Sequence, residues 1–486
     1  MTTDPHSHEP PPTTDALPKL MKPSWVFAMA LGSAVGWGAF ILPYEWGVSG
    51  GLAGTALGFL IGGAIIAVIA VSYGYGIERL PVAGGSVAFA LSGLGRLHGF
   101  IAGWALTLGY AGIVALNASA VTLVFRVTLP SLVQNVKLYS VAGWDIYLPE
   151  VIIATTFLVV FTLLNIRGVA LSGKFQFIAV VLLLLGVALI FITMLTMLFT
   201  RGITLPPAFP VGVSPWAAVF TIVAFAPWAY VGFDSIPQLA GEFNFSPNKA
   251  FSLLMWGVFV ATAVYLAMMV SVTIAVGTSH SAYTDDAWPT ATAITDVMGP
   301  LGLILMVIAV SMGVLTGLNG FYVSASRVLL TMGRARMIPS VFANLDPKHG
   351  TPKVAIYFVL ALCLISPWFG RSALSWIVDM TSVGISIAYF YTCFCVYKIG
   401  RNGHVFGMEK TFAPHSKMKW FGLAGCFFAL CFLALLLIPG SPGQLGTPPL
   451  IALAVWVVLG VIFFFARRKS YYALSDDDLR ATVYES

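Results

Sequence analysis

Gly32-Ser33-Ala34-Val35-Gly36-Trp37-Gly38-Ala39-Phe40-Ile41-Leu42-Pro43 reads as a hydrophobic span broken at its middle. A second stretch of the same kind, Phe225-Ala226-Pro227-Trp228-Ala229-Tyr230-Val231-Gly232-Phe233-Asp234, stands in the other half of the chain. Glycine and proline both weaken a helix interior. Loosened backbone inside a bilayer is tolerated only where it lines a cavity or is buried in protein. Two such breaks in corresponding positions of a many-spanning chain point to a carrier with its site at the midplane.

Composition places both stretches in a membrane. The chain is 58% hydrophobic and 9% charged, against roughly 25% charged in soluble domains. Apolar runs of about 20 residues, each able to cross a bilayer, recur along it. Twelve spans are expected, at 24–47, 51–76, 97–125, 148–165, 175–200, 214–240, 249–276, 300–327, 353–370, 374–398, 420–438 and 448–466. Twelve spans put both termini on one side. Of the 25 lysines and arginines, 21 fall on that side, and the other four are Arg126, Lys137, Arg201 and Arg371. The positive-inside rule makes that side the cytoplasm of a cytoplasmic membrane. Loops beside anionic lipid account for the net charge of +6 with no nucleic acid partner. Residues 1–20 are Pro-rich and polar and read as a disordered tail without the apolar core of a signal peptide.

Negative features narrow the function. All five cysteines lie in apolar spans, so no structural disulfide is expected. The seven histidines fall in loops, tails or span ends, which speaks against a buried histidine relay. The chain has no zinc-protease His-Glu-x-x-His, no Gly-x-Ser-x-Gly elbow and no P-loop. An enzyme or an ATP-driven pump has no footing, and no cofactor or metal is expected.

The first break lies in span one and the second in span six. Each repeat then holds five spans, and an odd number inverts the second against the first. The expected layout is a cytoplasmic tail at 1–23, then a ten-helix core at 24–400 with repeats 24–200 and 214–400. A loop at 401–419, two further helices at 420–466 and a tail at 467–486 complete it. Gly50, Gly54, Gly58 and Gly62, spaced four apart, read as helix-packing residues, as do Gly95, Gly99 and Gly103. The mixed-polarity segment 78–96 is expected at the cytoplasmic interface, and loop 278–299, with Asp285, Asp286 and Trp288, as solvated or as a short lid helix.

Several motifs resemble the amino acid–polyamine–organocation superfamily. They are Gly32-x-x-Val35-Gly36-x-Gly38-x-Phe40-x-x-Pro43, Pro81-x-x-Gly84-Gly85, Leu164-Asn165-x-Arg167-Gly168 with Ser172-Gly173-Lys174, Tyr230-Val231-Gly232-Phe233-Asp234 with Glu242 and Pro247, and Ser326-Arg327-Val328-Leu329 with Ile338-Pro339 and Gly350-Thr351-Pro352. They occur in family order. The resemblance implies an all-α polytopic protein of twelve transmembrane helices, the leucine-transporter-type 5+5 inverted repeat with helices 1 and 6 broken, plus two C-terminal helices. Three departures stand out. Trp37 replaces a residue that is usually small where relatives bind a substrate carboxylate. Arg334-Ala335-Arg336 replaces Arg-Asp-Gly. The interior of span five, 175–200, has no lysine, which some proton-coupled relatives carry, so the coupling ion stays open between H+ and Na+.

The substrate-binding candidates are Val35, Gly36, Trp37, Gly38, Phe225, Ala226, Trp228 and Val231, with Tyr110 and Asn117 on one face of span three. Backbone N–H groups at 33–38 suit a carboxylate, and carbonyls at 225–229 an ammonium. Trp228 matches a family position that covers the substrate. Asp234, an intramembrane carboxylate, is a coupling or structural residue, and Glu242 a gate or structural partner. Thr316 and Asn319 offer an oxygen to sodium beside Ala34 and Val35. Asp379 and Glu45 close spans ten and one near the outer side. The expected function is secondary active transport of an amino acid or related small amine by alternating access, as a monomer or homodimer in the lipid bilayer. The alternatives are an organocation or monoamine carrier without carboxylate recognition and, of a different class, a non-transporting membrane sensor.

Overall fold

The computed structural model describes residues 17–278, 280–284, 286, 288–403, 414–441 and 443–484. The chain opens with α1 (Pro23–Ala34), α2 (Gly38–Ile41), α3 (Pro43–Arg79), α4 (Gly85–Leu94), α5 (Arg96–Thr128) and α6 (Pro130–Val133). Strands β1 (Lys137–Val141) and β2 (Trp144–Tyr147) follow. Next come α7 (Leu148–Ile166), α8 (Val169–Arg201), α9 (Pro215–Val223), α10 (Ala226–Ala229), α11 (Ser235–Gln238), α12 (Asn248–Val276) and α13 (Pro289–Met298). The last part holds α14 (Pro300–Arg334), α15 (Lys353–Cys363), α16 (Gly370–Asn402), α17 (Ser416–Leu437), α18 (Thr447–Tyr472) and α19 (Asp476–Val483).

Among the described residues, nine helices of 19 to 37 residues are apolar enough to cross a membrane: α3, α5, α7, α8, α12, α14, α16, α17 and α18. They fall on nine of the expected spans. The other three, 24–47, 214–240 and 353–370, are built from shorter pieces. Span one runs through α1, the break at Val35–Trp37, α2 and the start of α3. Gly51, at φ 64°, kinks α3 and separates that start from the next span. Span six is α9, α10 and α11 in series. α15 ends at Cys363 and is followed by a 3₁₀ turn at Ser366–Trp368.

The glycine row on α3 is a packing face. A Cβ on Gly54 would stand 3.1 Å from that of Ala218, one on Gly58 2.5 Å from that of Ile222, and one on Gly62 2.8 Å from that of Ala226. Absence of side chains thus lets α3 lie directly on α9 and α10. Within segment 78–96, Gly85 through Gly93 are all buried against the bundle, with Gly93 against the backbone of Cys395.

An all-helical chain was expected, yet β1 and β2 form an antiparallel hairpin. Its two-residue turn, Ala142 at φ 46° and Gly143 at φ 81°, has the paired positive φ of a tight hairpin turn. Lys137 and Ser140 bond Asp145 across it at 2.7 and 2.6 Å, and these contacts hold the Asp145 carboxyl below its usual range. Arg126 anchors the base, paired with Glu150 at 2.5 Å and lying 4.1 Å over the Trp144 ring.

Both chain ends pack more than tails would. Residues 1–16 lie outside the described residues, but Leu17 is buried, and Met21 pairs with the segment after α11: its N–H donates to Glu242 O at 2.9 Å. At the other end Ser475 caps α19, whose first turn holds Asp476, Asp477 and Asp478. Arg96 bonds Tyr471 O, Leu474 O and Asp476 and so folds α19 back on the bundle. Of the loop 401–419, residues 404–413 lie outside the described residues. Loop 278–299 does contain a helix, α13, while Asp285 lies outside the described residues.

Candidate functional site between the broken helices

Both breaks form and cross each other. α1 stops at Ala34, with Val35 in a non-helical conformation, and the chain turns at 35–37 before α2. In the partner span, turns at 230–234 separate α10 from α11. Gly232, at φ 130°, lies so close to α1 that a Cβ would stand 2.3 Å from Ala34 N and 2.5 Å from Ser33 C. Only glycine permits that approach. From α12, the Tyr265 hydroxyl sits 2.8 Å from Ala34 O and 2.5 Å from Ala229 O, one proton serving a carbonyl of each broken span.

A cavity of about 20 Å³ remains beside the crossing, lined by Ser33, Gly36, Trp37, Gly38, Asn117 and Trp228 among others. That is space for a water-sized guest. The two indoles take the rest. Trp37 and Trp228 meet edge to face at 5.8 Å, and each is under one-tenth exposed. Gly38 makes this possible, because a Cβ there would fall 2.2 Å from the Trp228 ring. The start of α13 fastens to α2: Trp288 Nε1 donates to Phe40 O at 2.9 Å and Thr290 Oγ1 to Ile41 O at 2.9 Å.

Three lining residues keep a buried polar atom without a hydrogen-bond partner among the described residues: Ser33 Oγ, Trp37 Nε1 and Asn117 Oδ1. Buried polar atoms are nearly always paired, so such a trio calls for an explanation. Together they offer a donor, an acceptor and a hydroxyl that serves as either.

Asp234 lies beyond the crossing, fully buried. Its carboxylate accepts from Tyr110 Oη at 2.7 Å and from Gly232 N at 2.8 Å. Gln238 Nε2 reaches Ser86 Oγ, Asp234 O and Tyr110 Oη within 3.2 Å. Among the described residues no cation pairs with Asp234. Further along, Glu242 and Arg327 form a buried bidentate pair, at 2.6 and 3.2 Å, with 0% and 1% side-chain exposure.

Behind the first break, neutral side chains join α1, α7, α8 and α14. Thr316 Oγ1 donates toward Gly32 O at 2.9 Å. Gln176 Nε2 lies 3.3 Å from Ala28 O and 3.1 Å from Thr316 O. Asn319 bonds Gln176 Oε1 at 2.8 Å, and its own Oδ1 accepts from Ser172 at 2.8 Å and Asn165 at 3.2 Å.

Of the expected residues, Gly36, Trp37, Gly38, Asn117, Trp228 and Val231 converge on the cavity. Val35 is buried beside it, with its carbonyl against Gly313. Tyr110 sits on Asp234, Thr316 behind α1 and Glu242 on Arg327. Ala226 packs on Gly62. Phe225, 38% exposed, is not among the lining residues. Tyr265 and Gln176 escaped the sequence reading. Each is a polar group inside an apolar span, which is the signal that could have found it.

A many-spanning helical bundle with a small cavity at two crossing breaks is the architecture of a membrane transport protein. Residues 24–464 match the amino acid permease family, and the chain belongs to that family, within the amino acid–polyamine–organocation superfamily. Its members are permeases and not enzymes. The chain is 26% identical over 394 residues to the glutamate/serine transporter AimA of Bacillus subtilis (strain 168), covering 77% of this chain and 70% of the relative. It is 23% identical over 467 residues to the branched-chain amino acid permease BcaP of the same organism, 92% of each chain. A methylthioribose transporter of that organism is 24% identical over 334 residues, 67% of this chain and 69% of the relative.

Proposed function

We propose that this permease is a secondary active transporter that carries a neutral amino acid across the cytoplasmic membrane by alternating access. The observation that carries this reading is the crossing of the two breaks at Gly232 and Ala34 beside a small cavity whose lining holds three polar atoms unpartnered among the described residues. The start of α2 leaves N–H groups without intrahelical partners, and these suit a carboxylate. Asn117 Oδ1, which lines the cavity without a partner among the described residues, suits an ammonium, whereas the carbonyls of Phe225, Ala226, Trp228 and Ala229 already accept bonds from neighbouring N–H groups or from Tyr265. No charged side chain lines the cavity, which favours an uncharged substrate side chain and disfavours a polycation such as spermine. The cavity, about 20 Å³, is too small for an amino acid, so loading requires Trp37 and Trp228 to part. The arrangement we assign is twelve spans in two inverted five-span repeats, 24–200 and 214–400, with two more helices and both termini in the cytoplasm.

For the coupling ion we favour H+ over Na+. Asp234 is a buried carboxylate without a cationic partner among the described residues, next to the crossing. Ala28 O and Thr316 O lie within reach of Gln176 Nε2, and Ala34 O lies 2.8 Å from the Tyr265 hydroxyl. The second reading, a monoamine carrier, draws on Trp37, whose ring can face a cation. A non-transporting sensor would bind ligand without flux.

Thermal unfolding of the purified protein with amino acids and their decarboxylated amines separates these readings, since native-state binding raises apparent stability. We expect neutral amino acids to stabilise and their amines not to, with flux of the same amino acids in proteoliposomes. Equal or greater stabilisation by the amines would replace the amino acid reading with the monoamine one. Binding without flux would leave the sensor.

A further inference from the structure

α18 hardly joins the bundle. Of its 26 residues only Pro449, Gly460 and Tyr471 are buried. It touches α5 through Gly460, which sits against the Trp104 indole, and through a reciprocal pair of bonds. Trp104 Nε1 donates to Trp456 O at 3.0 Å, Trp456 Nε1 to Trp104 O at 3.2 Å, and the rings stack at 4.6 Å. On one side of this contact the helices diverge and leave a groove of about 460 Å³ between α5, α16 and α18.

The groove is apolar along its whole length, with Leu97, Ile101, Ile387, Val457, Val461 and Phe465 among its walls. From Leu97 to Leu108 it follows α5 for roughly 16 Å, about one leaflet of a bilayer whose hydrocarbon is about 30 Å thick. Its mouth lies at Leu97, Phe464 and Phe465. One turn beyond stand Arg467, Arg468 and Lys469. Arg467 follows Gly460 by two helical turns and so shares the bundle-facing side of α18. Its Nε is buried and has no hydrogen-bond partner among the described residues. The nearby Asp476 is already taken by Arg96 at 2.6 Å. Arg468 and Lys469 are exposed.

We propose that this groove is a binding site for an anionic phospholipid, with an acyl chain along α5 and the phosphate held by Arg467 and its basic neighbours. The apolar wall selects for a chain, and the basic residues Arg467, Arg468 and Lys469, one turn beyond Phe464 and Phe465, select for an anion. Basic clusters at a membrane-facing helix end favour anionic lipid by the same electrostatics. The bound chain would fill the space that keeps α18 apart from α5 and α16. The site is separate from the cavity at the helix breaks and does not depend on which substrate is carried.

The test uses the purified full-length protein in detergent with three probes: phosphatidylglycerol, phosphatidylcholine with the same acyl chains, and glycerol 3-phosphate. The readouts are the unfolding temperature and lipid retained in native mass spectrometry. Phosphatidylglycerol should raise the unfolding temperature and be retained at one per chain. Arg467→Ala should weaken its retention about tenfold. Val461→Trp, which fills the groove from a position half exposed to lipid, should abolish retention and leave the lipid-free unfolding temperature unchanged. Equal stabilisation by phosphatidylcholine would overturn the anionic selection, and equal stabilisation by glycerol 3-phosphate would reduce the site to a phosphate contact. Unchanged retention in Val461→Trp, or a rise that tracks dimer formation, would remove lipid from the groove.

Discussion

Trp37 and Trp228 define the cavity by occupying it. Their edge-to-face contact at 5.8 Å joins the two broken spans, and both indoles line the cavity. Trp37 stood out in the sequence because an indole replaced a small residue. That its partner would be Trp228, seated over Gly38, was not legible, because the two meet only when the breaks cross. Trp228→Ala removes the aromatic cover. We expect substrate binding to weaken at least about tenfold, as loss of a buried aromatic anchor does, measured by titration of the thermal shift. An unchanged affinity would take Trp228 out of the pocket.

At the scale of elements, the exit of the sixth span is fastened by one buried ion pair. Glu242 follows α11, Arg327 lies on α14, and Met21 lies beside Glu242 through the backbone. Removing one partner strands a charge in the interior, at about 3–5 kcal/mol, whereas removing both leaves none. Glu242→Ala should therefore lower the unfolding temperature sharply, and Glu242→Ala with Arg327→Ala should recover part of the loss. If the double variant falls as far as the two single losses combined, the residues act independently. Glu242 was expected as a gate or structural partner from its place after a broken span. Arg327 stood in a motif too, but a pair separated by 85 positions needs the packing of α11 on α14 to be seen.

Across the whole molecule, the alternating access we propose would require the two ends of the bundle to sense one another. Asp234 lies between the crossing and the Glu242–Arg327 pair, with Tyr110 and Gln238 around it, and is our proposed coupling residue. Asp234→Asn keeps the shape and removes the titration. The expected outcome in proteoliposomes is uptake that no longer varies with pH, while replacing Na+ with choline leaves the parent protein's uptake unchanged. A Na+ requirement, or a retained pH profile in Asp234→Asn, would move the coupling elsewhere.

The division between sequence and structure follows from what each can encode. Span length, the two breaks and the packing glycines of α3 are local properties, so they were readable along the chain. Helix rotation was not. In a bilayer the lipid-facing and bundle-facing sides of a helix are both apolar, and the usual amphipathic signal that tells inside from outside is weak. Only the tertiary structure could therefore turn Tyr265 toward both breaks, bring Gln176 between α1 and α14, face Phe225 away from the cavity and open the groove beside α18. Each of these depends on helices that are distant in sequence meeting at a particular crossing and register, which no single stretch of residues determines.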